Sequence, residues 1–109
     1  KEHNSTLNIE LELSSDAKSI SVSKDNILVK TIKEEAEKFH GQPVMITGMG
    51  GGTVCKDLVK HNCVSVCYSA GDNEFYHMVN ENILIKELID YAAIMAKVVL
   101  KLNEQVMFL

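Results

Sequence analysis

Four of the six glycines fall within five positions, in Gly48-Met49-Gly50-Gly51-Gly52-Thr53, and this cluster most constrains what the chain can fold into. Backbone so short of Cβ atoms either adopts unusual dihedrals or approaches something closely. An apolar run, Val44-Met45-Ile46, precedes it, entered through Pro43, the only proline. Val54 to Lys60 follows with the character of a short helix. Strand, glycine turn and helix in that order predict α/β layering.

The flanking patterns extend this expectation. Leu7, Ile9, Leu11 and Leu13 alternate with polar Asn8, Glu10 and Glu12, the period of a half-buried strand. Ile20 and Val22 alternate with Ser19, Ser21 and Ser23, a short extended stretch or an interdomain crossing. From Asp25, a candidate N-cap, Leu28, Ile32, Ala36 and Phe39 recur at helical spacing. Lys30, Lys33, Glu34 and Glu37 take the wet side, and Gly41 suits a left-handed C-cap. The Glu34-Glu35 pair is expected on a solvated face. Asn62 to Tyr68 reads as a second apolar strand, and Ser69 to Asn80 as a loop. A long helix from about Lys86 to Asn103 closes the pattern, with Leu88, Tyr91, Ala92, Met95, Val99 and Leu102 on one face. Two short central strands do not make an independent sheet, since sheets typically hold about four to six. The expectation is a piece of a larger α/β domain preceded by the tail of another.

Composition narrows the function. The 109 residues, 46% of them hydrophobic, are enough for one modest core. The formal charge is −4, and all 11 basic side chains are lysines, so no bidentate guanidinium fork is present for carboxylate or phosphate. With no tryptophan and no dense basic run, a nucleic-acid partner is not expected. Charged residues interrupt every long apolar stretch, so no membrane span is expected. Three cysteines without a C-x-x-C pair argue against a disulfide framework or zinc knuckle, and a reducing cytoplasmic location is expected.

Two features carry candidate chemistry. The glycine cluster fits neither the spaced dinucleotide fingerprint nor a P-loop, so it reads as a tight turn, an anion-binding loop or the floor of an active site. His77 lies in Gly71-Asp72-Asn73-Glu74-Phe75-Tyr76-His77-Met78-Val79-Asn80-Glu81, among carboxylates and amides able to orient an imidazole. A loop histidine by itself is more often a solvated or merely hydrogen-bonded side chain. His3, His40 and His61 sit at a terminus, a helix end and a polar turn.

Taken together, Gly51-Gly52-Thr53, a short helix, an apolar run and then His77-Met78-Val79-Asn80-Glu81 entering a long helix resemble the C-terminal end of the co-catalytic zinc peptidases. This superfamily includes aminoacylases, desuccinylases, glutamate carboxypeptidases and dipeptidases, and the dipeptidase V-type enzymes are the nearest in pattern. Ser23 to Lys30 is similar to that family's entry from the lid domain back into the catalytic domain, so the likeness covers roughly residues 20–103.

The resemblance implies an α/β fold: residues 1–22 as the last strand of an α+β lid domain with its crossing segment, and 23–109 as the C-terminal portion of a phosphorylase/hydrolase-like catalytic domain. It implies His77 as a metal ligand of a two-zinc centre, manganese or cobalt being alternatives, with Asn80 and Glu81 supporting it. It also implies Gly51, Gly52, Thr53 and Lys56 along a pocket for a dipeptide or N-acyl amino acid. Where relatives often carry arginine, this chain has Lys56, a point charge in place of a fork. Such a centre polarises the scissile carbonyl and activates a bridging water, and a glutamate relays the proton. The remaining ligands and that glutamate are expected in the rest of a parent polypeptide, so the chain alone would contain no catalytic residue and be inactive. A homodimer is left open by the resemblance. The rival expectation is a stand-alone α/β module binding a small ligand or anion through Gly48–Thr53.

Overall fold

In a computed structural model the chain is described over residues 8–14, 18–71 and 75–107. Three helices follow one another: α1 (Ile27–His40), α2 (Cys55–Lys60) and α3 (Ile85–Met107). His3, Leu7, Asp72, Asn73 and Glu74 lie outside the described residues.

The α1 termini follow local chemistry. Asn26, rather than Asp25, is the N-cap: its Oδ1 accepts the Leu28 N–H at 2.9 Å, satisfying a donor the helix leaves without a partner. Asp25 instead pairs with Lys30 at 3.0 Å. At the other end Gly41 takes the expected left-handed conformation (φ 68°), and its N–H donates to the Glu37 carbonyl at 2.8 Å. A Glu37 carboxylate oxygen then accepts the Val44 N–H at 3.0 Å, turning the chain back beside the helix after Pro43.

The core lies between α1 and α3, the one pair of helices that pack on each other among the described residues. Ile32 and Ala36 from α1 meet Ile94 and Val98 from α3, and Ala36 and Ile94 are fully buried. Leu28, Phe39, Val44, Val66, Tyr68 and Leu102 close around them. The four expected α1 positions are therefore all in or against the core. On α3 the expected face is displaced: Tyr91, Ile94, Val98 and Leu102 point inward, whereas Leu88, Ala92 and Val99 are exposed. The helix is apolar on most sides, with Leu88, Ile89, Val99 and Leu100 all facing solvent. Its periodicity supports more than one stripe, and contact with α1 selects among them.

The α/β expectation is overturned: among the described residues there is no strand and no sheet. Residues 8–14, 43–50 and 63–69 have no regular structure. Ile9, Leu11 and Leu13, whose alternation predicts a strand, are exposed, as are Met45, Ile46 and Val64. Alternation states which side chains would share a face; a strand also needs a neighbouring edge to supply ladder hydrogen bonds. No such edge meets these segments, so neither the catalytic-domain sheet nor the lid strand is formed among the described residues. No helix among the described residues is long and apolar enough to cross a membrane.

An ion cluster edges the core. Glu35 is buried, contrary to the solvated face expected for Glu34-Glu35. Lys101 of α3 donates to Glu34 Oε2 at 2.6 Å and Glu35 Oε1 at 3.2 Å, and Lys38 donates to the same Glu35 oxygen at 3.0 Å. Hydrogen bonding from Lys101 holds the Glu34 carboxyl below its ordinary range, and hydrogen bonds from Lys38 and then Lys101 do the same for Glu35. The same contacts, Glu34 first, hold the Lys101 ammonium above the usual lysine range.

Two outcomes follow from this packing. Ile94→Ala, which empties the centre of the α1–α3 contact, lowers unfolding stability by about 2–5 kcal/mol in urea titrations followed by circular dichroism. The depressed carboxylates stabilise the fold above the ordinary glutamate range, and that contribution is lost as pH falls through their lower folded-state values. The raised lysine contributes below about pH 10.5 and loses its effect as pH rises past its folded value. Lys101→Met flattens both limbs of a stability-versus-pH curve, whereas a surface control such as Lys18→Met leaves them unchanged.

Candidate functional site

The His77 loop is tied at its base. The Tyr76 hydroxyl lies 2.7 Å from Ser69 Oγ and donates to the Ala70 carbonyl at 3.0 Å. Gly71 adopts φ 87°, and a Cβ there would stand 3.1 Å from Ile83 Cδ1, so both conformation and space call for glycine. These contacts fold the loop back between the end of 63–69 and the start of α3. Beyond it, Leu84 N–H donates to Glu87 Oε2 at 3.2 Å, a side-chain cap on the first turn of α3.

Within that frame, His77-Met78-Val79-Asn80-Glu81 forms a tight turn. Two of its residues are unusual: His77 has φ 61° and Asn80 φ 62°, left-handed conformations that cost L-residues free energy. The Glu81 N–H donates to the Met78 carbonyl at 3.2 Å, and the Glu81 carboxylate accepts the His77 backbone N–H at 3.3 Å. Asn82 Nδ2 donates to the Asn80 carbonyl at 2.9 Å. Glu81 therefore orders the backbone that carries the imidazole, not the ring itself. The His77 side chain is exposed, and among the described residues nothing hydrogen-bonds its ring.

The glycine turn is open in a different way. A Cβ at Gly48, Gly50, Gly51 or Gly52 would meet nothing within 4 Å, and their φ values lie outside the left-handed region. Neither crowding nor dihedral strain in this chain accounts for the run. Thr53 is half-buried; its carbonyl accepts the Lys56 N–H at 3.1 Å and so begins α2. Lys56 is half-buried on the first turn of that helix.

No hydrogen bond joins the glycine turn to the His77 turn among the described residues. Nor do three His, Cys, Asp or Glu side chains converge there as a metal site would require. Toward a metal the described chain offers His77 as a single ligand, a partial fit to the two-metal set that the resemblance implies. Two clefts have volumes of about 270 and 360 Å³, and neither is lined by His77 or by the glycine turn. The smaller is bordered by His40, Tyr68, Glu87, Asp90 and Tyr91, with the two tyrosine rings stacked 5.7 Å apart. Helix-end position hid His40 in the sequence, because its neighbours in this cleft come mostly from the 68–71 segment and from α3, about thirty to fifty residues further on.

Compared with known family models, with curated proteins and with solved structures, the chain matches none.

Gly71→Ala, meeting both the positive φ and Ile83, destabilises the His77 loop by about 1–3 kcal/mol. Amide hydrogen exchange accelerates across 75–83 while the protection of α1 is unchanged.

Proposed function

We propose that this chain contributes one metal-ligating histidine and part of a substrate pocket to a zinc-dependent, dipeptidase-like amide hydrolase, with further polypeptide supplying the other ligands and the general base. The observation that carries the reading is the His77 turn. An exposed imidazole sits on backbone held left-handed at both His77 and Asn80 and braced by Glu81. Strain of this kind persists where surroundings over-determine it, and it is concentrated at functional sites. The reading draws on this local chemistry and on the resemblance of Gly51-Gly52-Thr53 and His77–Glu81, not on the α/β layering, which the described residues lack.

The exposed surface supports a need for further polypeptide. A compact monomer of this mass exposes about 6,000 Å², whereas this chain exposes 9540 Å². Its radius of gyration is 19.3 Å, against about 13 Å for a compact domain of this length. Exposed apolar side chains on the unpaired segments, among them Leu11, Met45 and Val64, contribute to the excess surface. When bound, zinc would polarise a carbonyl and activate water. In this chain His77 would hold the ion, and the open glycine backbone would let a substrate approach closely.

The anion-binding alternative draws on the same uncrowded glycines. In the full-length polypeptide that carries this sequence, assayed on dipeptides with zinc, manganese or cobalt, His77→Ala lowers kcat/KM by on the order of 10³-fold and reduces bound metal. Undiminished turnover and metal content would overturn the ligand assignment. Saturable nucleotide binding by the 109-residue chain, lost on Gly51→Val, would favour the anion-binding module instead.

A further inference from the structure

Away from the His77 turn, two cysteine side chains come close together. Cys55 opens α2 and Cys67 lies in the irregular segment 63–69, and their sulfurs stand 3.4 Å apart. Cys55 is half-buried and Cys67 exposed, so a small reagent can reach the pair. All three cysteines are free thiols. A disulfide bond is about 2.05 Å long, so the two sulfurs need to close by about 1.4 Å. The local structure is able to yield by that amount. Helix α2 buries none of its residues and packs on neither other helix among the described residues. Cys63 is differently placed: its Sγ donates to the His61 carbonyl at 3.7 Å, in the turn just before it.

We propose that Cys55 and Cys67 are a reversible dithiol–disulfide pair, oxidised by low-molecular-weight disulfides of the glutathione type. Deprotonated Cys67 attacks one sulfur of the small disulfide, forming a mixed disulfide and expelling one thiolate. Deprotonated Cys55 then attacks the Cys67 sulfur, forming the intramolecular bond and expelling the second thiolate. Two electrons pass from the protein to the small disulfide, and the two protons released by the cysteines end on the two small thiols. Excess small thiol reverses both steps.

The bond would close α2 and the His61-Asn62 turn into a covalent ring. It would also join the helix that follows Thr53 to the segment ending at Tyr68, whose ring stacks on Tyr91 of α3. Oxidation thus adds a covalent tether between the start of α2, just after the glycine turn, and the segment that leads into the α1–α3 core. This inference is independent of the hydrolase reading.

The test equilibrates the 109-residue chain in mixtures of glutathione and its disulfide, quenches by alkylation and maps tryptic peptides by mass. The expected product links peptide 39–56 to peptide 61–86 with the loss of two hydrogens. It persists in Cys63→Ser and vanishes in both Cys55→Ser and Cys67→Ser. Its equilibrium constant in native buffer exceeds that in concentrated urea by roughly tenfold or more, equivalent to about 30 mV in reduction potential. A cross-link retained in Cys67→Ser, a loop between Cys63 and Cys67, or an equilibrium constant no larger than in urea would each overturn the proposal. Because urea removes the folded geometry, chance encounter of flexible thiols is measured separately.

Discussion

The α1–α3 contact is the interaction on which the rest of the structure depends. Ala36 presents no side chain beyond Cβ, which lets α3 come close enough for Ile94 and Val98 to be sealed from water. Ile32 completes the layer. Burial of these side chains is the main source of cohesion, since apolar area removed from water stabilises by about 25 cal/mol per Å². Val44, Val66 and Tyr68 reach this centre from segments with no regular structure, so the irregular chain is organised by what it rests on. Helix α2, with nothing buried, shows what happens to an element that lacks such a contact.

The edge of this contact is electrostatic. Lys101 bridges Glu34 and Glu35 from the opposite helix, and Lys97 lies 5.4 Å from the centre of the Phe39 ring. Exposed ion pairs individually contribute little. Glu35 differs because it is buried and bonded to two lysines, so losing either partner would leave a carboxylate poorly compensated. The cluster also fixes which face of α3 turns inward, because Lys101 lies beside Leu102 on the flank that meets α1. A helix apolar on most sides needs such an asymmetric restraint to settle in one register.

Legibility in the sequence followed the range of the interactions. The Leu28, Ile32, Ala36 and Phe39 stripe and the Gly41 cap depend on residues within a few positions, and periodicity and glycine chemistry identify them. The His77 turn was visible as a motif, since His77, Asn80 and Glu81 are near neighbours. Its left-handed dihedrals and the role of Glu81 as a backbone brace were not, because residue type alone does not say which atom a carboxylate will meet. The Cys55–Cys67 juxtaposition gave no spacing signal at all. It arises because His61 and Asn62, the latter at φ 60°, reverse the chain after α2.

By itself the sequence determined two long helices, the Gly41 cap that ends α1, the glycine-rich turn and a loop carrying His77. All of these are set by short-range hydrogen bonds and steric preference. Tertiary structure decided the rest: which stripe of α3 is buried, that Glu35 is internal, and that the alternating segments stay unpaired. Each of those outcomes depends on a partner distant in the chain. An alternating apolar pattern carries the capacity to form a strand, but the hydrogen bonds of a strand belong to the neighbour, and among the described residues no neighbour supplies them.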